Sequence, residues 1–320
     1  MLIKQKLSTL ALLIYSLLIA GCSSAAFGQV SSSQCQSKRV KLQMLGTRGP
    51  ELLAGDTQAS TGYLIWLDNK ARVIVEAGPG SLQRFKQSKA NINDVDLMLF
   101  SHFHVDHSAD FPAYIKGAFF SDLDKNLQVL GPSGTKFVAS AEQFVERAIG
   151  AKNGLYPYLG SYIDVNQHSA YHIKTKNIPW SYRDLSMQQV YNKNGIKVQA
   201  VPTHHGPFPS LAYRVELAGC VISFSGDMSG RLGEVPNLAK DSDILVAHYA
   251  VAENVQGVAR NLHMKPSYIG EMAQQAKVKK LLLTHLMKRS LEVKDQSLGI
   301  IKKDFKGKII FPKDLDVFQP

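Results

Sequence analysis

The sequence predicts one layered α/β domain across residues 38–320. This segment is long for a single domain but lies within the range of layered α/β folds, and a hydrophobic content of 45% can fill a large core. A short apolar run at residues 95–100 leads directly into a dense group of polar side chains. In open α/β folds such groups gather at the carboxyl ends of strands. No internal repeat or low-complexity break divides the segment.

The first 21 residues predict a secretion signal. Lys4 and Lys6 precede an apolar run at residues 7–19 that is too short for an ordinary membrane span. The stretch LIAGC at residues 18–22 resembles the lipobox of bacterial lipoproteins, in which the cysteine, here Cys22, is lipidated. The resemblance implies a periplasmic protein with an N-terminal lipid anchor, and Ser23 implies the outer membrane of a Gram-negative bacterium. Ordinary cleavage near residues 26–28 is the alternative and would leave a soluble periplasmic protein.

Residues 22–37 predict a flexible tether, because they are small, polar and poor in large apolar side chains. Besides Cys22, the chain has Cys35 and Cys220. An oxidising periplasm would allow these two to pair. Cys220 lies in an apolar run at residues 217–224, so a buried, unpaired thiol fits the pattern at least as well.

The stretch SHFHVDH at residues 101–107 carries several metal-binding side chains. His102 and His104 are two residues apart, so in an extended segment both point to the same side and can bind one metal. Asp106 and His107 follow at the start of an expected helix and can face a second metal. Histidine and carboxylate without thiolate favour zinc or another borderline divalent ion.

This HxHxDH pattern resembles the ligand motif of the metallo-β-lactamase superfamily. The later ligands of that family match, in order, His205, Asp227 and His285. Upstream, residues 45–50, 60–66 and 73–80 resemble the first strands and the acidic-Gly-x-Gly turn of the family, with Glu76 in the acidic position. The resemblance covers about residues 40–316. It implies a four-layer αββα sandwich, in which two mixed β-sheets are flanked by helices.

The resemblance also implies a site with two Zn²⁺ ions. His102, His104 and His205 would hold the first ion, Asp106, His107 and His285 the second, and Asp227 would bridge them. Two such ions lower the pKa of a shared water, so that a bridging hydroxide acts as the nucleophile at neutral pH. Asp106 would also orient this water or accept its proton, which makes it a candidate catalytic residue.

Three further side chains are expected to support the ligands without binding the metals. His204 and His205 are adjacent, so their side chains diverge. His205 is the ligand candidate, because the Gly-Pro pair that follows matches the family. This leaves His204, together with His248 and Glu76, in the supporting role.

Asp227 also separates branches of the superfamily, since β-lactamases have cysteine or histidine there, whereas phosphodiesterases, thioesterases and lactonases have aspartate. His248 and His263 resemble two histidines of ribonuclease Z and of related phosphodiesterases and arylsulfatases. The second of these acts near the leaving group, so His263 could protonate an alkoxide or stabilise an oxyanion. A structural histidine at a helix start is the alternative. Tyr249 replaces the glutamate of that pattern, and Glu253 is the candidate substitute.

The segment at residues 134–187 has two parts. The first, with Phe137, Ala141, Phe144, Val145 and Ala148, has helical spacing and predicts a packed amphipathic helix. The second is rich in Tyr, Pro and Gly. Its aromatic side chains either line the mouth of the site and accept a flat or apolar leaving group, or pack the loop onto the domain.

The sequence therefore predicts a zinc-dependent hydrolase of a small phosphodiester or related ester. A carboxylic ester or lactone hydrolase and an arylsulfatase are alternatives within the fold, and a persulfide-oxidising iron enzyme is a further one. A non-catalytic binding lipoprotein with a retained metal site is the alternative of another class, but all seven ligand positions are filled.

The net charge fits an anionic partner, such as a nucleic acid, a phosphoester or an anionic lipid surface, but much of the basic excess lies late in the chain, where a solvated face of terminal helices is the favoured account. The formal net charge is +11, and removal of Lys4 and Lys6 with the signal leaves 11 − 2 = +9. Transfer-RNA processing is disfavoured, because the 21 residues between His205 and Asp227 leave no room for the RNA-grasping arm of ribonuclease Z. We therefore expect a small-molecule substrate and a membrane contact through the anchor, with no nucleic-acid partner, while a homodimer stays open.

Overall fold

The computed structural model describes residues 34–320. The predicted signal, Cys22 and most of the predicted tether lie outside these residues. Across the described part of the chain, no helix combines the length and the hydrophobicity that a membrane span needs.

The described residues contain fourteen strands and nine α-helices. The strands are β1 (Val40–Gly46), β2 (Gly62–Leu67), β3 (Lys70–Val75), β4 (Leu97–Leu99), β5 (Leu127–Pro132), β6 (Ile173–Ile178), β7 (Gln188–Lys193), β8 (Ile196–His205), β9 (Phe208–Leu217), β10 (Cys220–Phe224), β11 (Ile244–His248), β12 (Lys280–Thr284), β13 (Lys308–Ile310) and β14 (Val317–Phe318). The helices are α1 (Ser81–Gln87), α2 (Val105–Ser108), α3 (Phe111–Ala118), α4 (Ala141–Ile149), α5 (Val235–Leu238), α6 (Gly257–Leu262), α7 (Pro266–Gln275), α8 (Lys288–Leu291) and α9 (Lys294–Asp304). Short 3-10 helices occupy Ser37–Arg39, Ile92–Asp94 and Pro157–Tyr162.

The strands form two mixed sheets of seven strands each. The first has the order β14-β1-β2-β3-β4-β5-β6, and the second has the order β13-β12-β11-β10-β9-β8-β7. In the first sheet β1, β2 and β3 are antiparallel, and β3 to β6 run parallel. In the second, β7 to β10 are antiparallel and β10 to β13 run parallel. Each sheet therefore places several strand carboxyl ends at the same edge.

Three hydrophobic clusters define four layers. The central cluster lies between the sheets and joins residues such as Leu42 and Ile65 of the first sheet to Val215 and Ile222 of the second. A second cluster packs α3 and α4 on the outer face of the first sheet. A third packs α5 and α7 on the outer face of the second. The predicted αββα sandwich is confirmed.

Turn residues in the sequence fix the hairpins. Asp68 and Asn69 connect β2 to β3 with φ angles of 52° and 61°, and Asn194 and Gly195 connect β7 to β8 with φ angles of 55° and 73°. Two-residue hairpins need this left-handed backbone, which Asn, Asp and Gly adopt most easily.

Local details differ from the sequence-based boundaries. The sequence predicts a tether up to residue 37, but the folded chain reaches back to Cys35, which is bonded to Cys220. The sequence also predicts Phe137 in a helix, but α4 begins only at Ala141. Ser140 starts that helix because its side chain accepts a hydrogen bond from the Gln143 backbone N–H, while the Gln143 side chain accepts one from the Ser140 backbone. Phe137 therefore lies in the preceding loop.

Candidate metal centre

All seven predicted ligands lie at one edge of the two sheets. The loop after β4 carries His102 and His104, α2 carries Asp106 and His107, β8 ends with His205, and the loops after β10 and β12 carry Asp227 and His285. Six of the seven are buried, and His104 is half-buried. Parallel strands place their carboxyl ends at one edge within each sheet, β4 in the first and β10 and β12 in the second, and packing of the two sheets brings these ends together.

One group of possible ligands consists of His102, His104 and His205, whose ring nitrogens lie within 4.8 Å of one another. The His205 Nδ1 donates a hydrogen bond to the carbonyl of Leu262 at 2.8 Å, which turns the other ring nitrogen inward. That Nε2 lies 3.4 Å from the His104 Nδ1. The His102 Nδ1 lies 3.0 Å from the Ser101 hydroxyl, and its buried Nε2 has no hydrogen-bond partner among the described residues.

A second group of possible ligands consists of Asp106, His107 and His285. The Asp106 Oδ2 lies 3.4 Å from the His107 Nε2 and 3.1 Å from the His285 Nε2. The Asp227 Oδ2 lies 3.6 Å from the same atom of His107 and 3.3 Å from that of His285. It also lies 3.8 Å from the His205 Nε2. One carboxylate oxygen of Asp227 therefore faces histidines of both groups.

His248 lies close enough to the second group to be a ligand by distance alone. Both of its ring nitrogens have other partners, however. The Nδ1 lies 2.7 Å from the Asp227 Oδ1, and the Nε2 lies 2.9 Å from the Tyr63 hydroxyl. Tyr63 in turn contacts the Thr284 hydroxyl at 2.7 Å. This chain of contacts places His248 behind Asp227, in a position to orient its carboxylate.

Glu76 lies behind the second group. Its Oε1 accepts a hydrogen bond from the Ser101 backbone at 3.0 Å and lies 3.6 Å from the His107 Nδ1. Glu76 has a φ of 61° and His285 a φ of 57°, which is uncommon for residues other than glycine. Such strained backbone persists only where the surrounding structure holds it, and it concentrates at functional sites.

Gly78 allows the segment with two of the ligands to approach the first sheet. A Cβ at this position would lie 2.1 Å from the Asp106 carbonyl oxygen, which no side chain can tolerate. Next to this close approach, the backbone N–H of Ala77 donates a hydrogen bond to the His107 carbonyl at 2.7 Å. The glycine of the acidic-Gly-x-Gly turn is therefore needed to place α2.

His204 and His263 occupy different positions around the ligands. The His204 Nδ1 lies 2.7 Å from the Ser229 hydroxyl, and its ring stacks on Tyr182 at a centroid distance of 5.3 Å. His263 is buried, and its Nδ1 lies 3.8 Å from the Asp227 Oδ2. His263 therefore faces the ligand groups, whereas His204 is fixed at their edge.

Glu253 does not take the position of the glutamate that Tyr249 replaces. Its two carboxylate oxygens accept hydrogen bonds from the Ser267 hydroxyl and backbone N–H at 2.7 and 2.8 Å, at the start of α7. The buried Tyr249 donates its hydroxyl to the Ser290 carbonyl at 2.8 Å. Glu253 thus stabilises the start of α7, and Tyr249 contacts α8.

The charges of the site suit a cation. Burial lowers the pKa of His102 well below its ordinary value and that of His205 to about 4, so both rings are neutral and able to bind a metal. Burial would raise the pKa of Asp106 and of Asp227, but neighbouring histidines outweigh it and both carboxyl groups have lowered pKa values. Burial would lower the pKa of His107 and His285, but the two carboxylates outweigh it and raise both, so a metal bound to these rings would take the place of their protons.

The residues present fit divalent metal ions. The buried Nε2 atoms of His102 and His107 have no hydrogen-bond partner among the described residues. Buried polar atoms normally have partners, and unpaired ones indicate a missing ion or water. The donor set of imidazole and carboxylate matches zinc and similar ions. The cluster can therefore hold metal.

Sequence reasoning missed the residues that orient the ligands. Tyr63, Ser101 and the Leu262 carbonyl are single groups on separate elements, and no local pattern marks them. Among these, only Ser101 adjoins the ligand motif, so its proximity was the one available signal.

Comparisons with known proteins agree with this architecture. Residues 71–286 match the β-lactamase superfamily domain. Ribonuclease Z from Staphylococcus haemolyticus is 25% identical over 284 residues, which cover 77% of this chain and 88% of that protein. Ribonuclease Z from Methanosarcina acetivorans is 24% identical over 267 residues, covering 74% and 85%.

Two solved structures share the fold. The metallo-β-lactamase fold protein YhfI from Bacillus subtilis has a TM-score of 0.66 at 20% identity, covering 88% of this chain and 99% of that one. The short form of human tRNase Z has a TM-score of 0.66 at 16% identity, covering 87% and 98%. The family match spans more than half of the chain. The chain therefore belongs to the metallo-β-lactamase superfamily and is a hydrolase of that fold.

Proposed function

We propose that this protein is a dinuclear zinc hydrolase that cleaves a phosphodiester or related ester of modest size. The main support is the position of Asp227, whose Oδ2 lies 3.8 Å from the His205 Nε2 and 3.3 Å from the His285 Nε2. A carboxylate between two sets of imidazoles suits a ligand shared by two ions. The first ion would be held by His102, His104 and His205, and the second by Asp106, His107 and His285. When bound, the ions would activate water and polarise the ester.

The residues of the chain prepare this site in three ways. Asp106 has a lowered pKa and is ionised, so its carboxylate can accept a hydrogen bond from an attacking water and orient it. His205 and His102 are held with one nitrogen directed inward by their contacts with Leu262 and Ser101. Burial excludes bulk solvent from most of the ligand atoms, which strengthens each electrostatic contact with the substrate.

His263 contributes a hydrogen-bond donor to this site. Burial lowers its pKa to about 3, so at neutral pH the ring is uncharged and carries one N–H group. A neutral imidazole can stabilise a developing oxyanion by donating a hydrogen bond. This favours the stabilising role over proton transfer to the leaving group.

The distribution of arginines supports an anionic substrate. Five of the ten arginines form salt bridges, and among residues 34–320 the other five have no carboxylate within 4.0 Å. Three of the arginines without a carboxylate partner lie near histidines of the site. Burial lowers the pKa of His204, and the charges of Arg231 and Arg260 lower it further. Burial likewise lowers the pKa of His263, and the charge of Arg289 contributes. Uncompensated guanidinium groups beside a hydrolytic site suit a phosphate or another oxyanion.

The short connection between the strands beside the site supports a small substrate. Strands β9 and β10 occupy most of the chain between His205 and Asp227. The tight turn at Ala218 and Gly219 connects them, so this stretch forms no arm that could grasp an RNA. The relatives named ribonuclease Z act on RNA, but we propose a small molecule here. A carboxylic ester, a lactone and an aryl sulfate are the alternatives that a substrate panel separates.

We further propose that the protein is exported and held in the outer membrane through Cys22. The disulfide between Cys35 and Cys220 supports an oxidising compartment. This would place the hydrolase in the periplasm.

The test combines metal analysis with a substrate panel. Purified protein should contain two zinc ions and hydrolyse bis(4-nitrophenyl) phosphate faster than 4-nitrophenyl acetate, an aryl sulfate or a lactone. Asp227→Ala should lose both metal and turnover, because it removes the shared ligand. His168→Ala, on an exposed loop, is the matched control. An Asp227→Ala protein with two zinc ions and the normal rate would exclude a dinuclear centre.

A further inference from the structure

A pocket of about 320 Å³ opens beside the first group of ligands. Its lining includes His102, His104, Phe103, Phe137, Phe144, Arg147 and Phe208. Its volume falls within the range of small-molecule sites. Two of the residues that line it are expected metal ligands, so a group bound there lies next to the reacting bond. Neither metal binding nor the roles of Asp106 and His263 accounts for this pocket.

Aromatic rings form much of the pocket wall. Phe103 and Phe144 stack at a centroid distance of 4.4 Å, with 16° between their planes. The Phe208 ring meets the His104 ring edge to face at 4.2 Å. A Cβ at Gly131 of β5 would lie 2.6 Å from the Phe103 ring, so glycine is needed there to admit it. The wall is thus held by close packing.

The rim carries an exposed phenylalanine on a structured turn. Phe137 is 89% exposed. The Thr135 hydroxyl accepts hydrogen bonds from the backbone N–H groups of Phe137 and Val138 at 3.2 and 3.1 Å, and the Thr135 N–H donates to the Val138 carbonyl at 2.9 Å. The ring is therefore presented at the pocket by a fixed backbone.

Arg147 is the one arginine or lysine that lines this pocket. It has no carboxylate within 4.0 Å among the described residues. A guanidinium group stacks favourably on aromatic faces. The pocket therefore combines aromatic surface with an available cation.

We propose that this pocket binds an aromatic substituent that stays on the substrate when the leaving group departs, next to the bond that is cleaved. This inference rests on the proposed function, in that it names the substituent of the same ester. An aryl ring can meet the phenylalanine rings edge to face or offset, which aromatic pairs prefer, and can also contact Arg147. A methyl group would leave most of the pocket unfilled and would gain little from it.

The experiment compares two phosphodiesters that share one leaving group, phenyl 4-nitrophenyl phosphate and methyl 4-nitrophenyl phosphate. The wild-type protein should favour the phenyl compound in kcat/KM by roughly ten-fold or more. Phe137→Ala should lower this preference by roughly three- to ten-fold. Phe120→Ala is the matched control, because Phe120 is also exposed, at 77%, but does not line the pocket. Comparing the ratio between variants cancels the difference in intrinsic reactivity of the two compounds.

A binding measurement separates this inference from the proposed function. Phenylphosphonate should bind the zinc-loaded protein more tightly than methylphosphonate in calorimetry, and Phe137→Ala should reduce the difference. This result would support the pocket even if neither phosphodiester were hydrolysed, which would refute the proposed function alone. Equal affinity for the two phosphonates, or an equal loss of preference in the Phe137 and Phe120 variants, would overturn the aromatic pocket.

Discussion

The Nδ1 of His248 lies 2.7 Å from the Oδ1 of Asp227, and the opposite nitrogen of the same ring lies 2.9 Å from the Tyr63 hydroxyl. Asp227 therefore uses one carboxylate oxygen for His248 and directs the other at the histidines of both ligand groups. The orientation of the Asp227 carboxylate depends on a strand of the first sheet through Tyr63 and on a strand of the second through His248.

We expect His248→Ala to lower zinc affinity roughly 10- to 100-fold, because Asp227 loses the contact that orients it. Competition with a chromogenic chelator measures this. Tyr63→Phe, which removes only the hydroxyl, should have a smaller effect in the same direction. His168→Ala should bind zinc like the wild type. Unchanged affinity in His248→Ala would show that Asp227 is oriented without it.

His263→Ala should keep both metals and reduce kcat roughly 10²- to 10³-fold, the usual loss when one oxyanion donor is removed. Because burial lowers the pKa of His263 to about 3, the loss should be similar for good and poor leaving groups. A series of aryl and alkyl phosphodiesters at matched zinc occupancy measures it. A loss confined to poor leaving groups would instead assign proton donation to His263.

Reduction of the Cys35–Cys220 disulfide should lower the free energy of unfolding by about 2–4 kcal/mol. The bond closes a loop of 185 residues and joins the start of the domain to β10. Urea denaturation with and without reductant measures the loss. The Cys35→Ser variant should already show it and should not respond to reductant. Wild-type stability that is independent of reductant would contradict a stabilising bond.

Cys22→Ser should move the protein from the membrane fraction to the soluble periplasmic fraction of a Gram-negative host, because acylation of that cysteine would supply the anchor. Fractionation followed by immunoblotting measures this. Ser24→Ala is the matched control and should stay with the membrane. Retention of Cys22→Ser in the membrane would point to an uncleaved signal.

Much of the candidate site could be predicted from the sequence, because its candidate ligands lie in short motifs. The HxHxDH run places four candidate ligands within six residues, and their spacing in an extended segment and the following helix fixes which side they face. The order in which the later ligands follow one another in the metallo-β-lactamase superfamily then indicated His205, Asp227 and His285. Length, hydrophobic content and the polar group behind an apolar run were enough to expect a layered α/β domain, whereas the four-layer αββα arrangement was implied only by the family resemblance.

Only the tertiary structure decided how distant residues meet. Tyr63 and His248 are 185 positions apart and become neighbours because the two sheets pack face to face. The pairing of Cys35 with Cys220 was likewise open, because a buried thiol and a disulfide have the same local sequence pattern. Glu253 could not be placed from its position in the chain, and it caps α7. Local periodicity determines the elements, whereas contacts between elements depend on the packing of the whole domain.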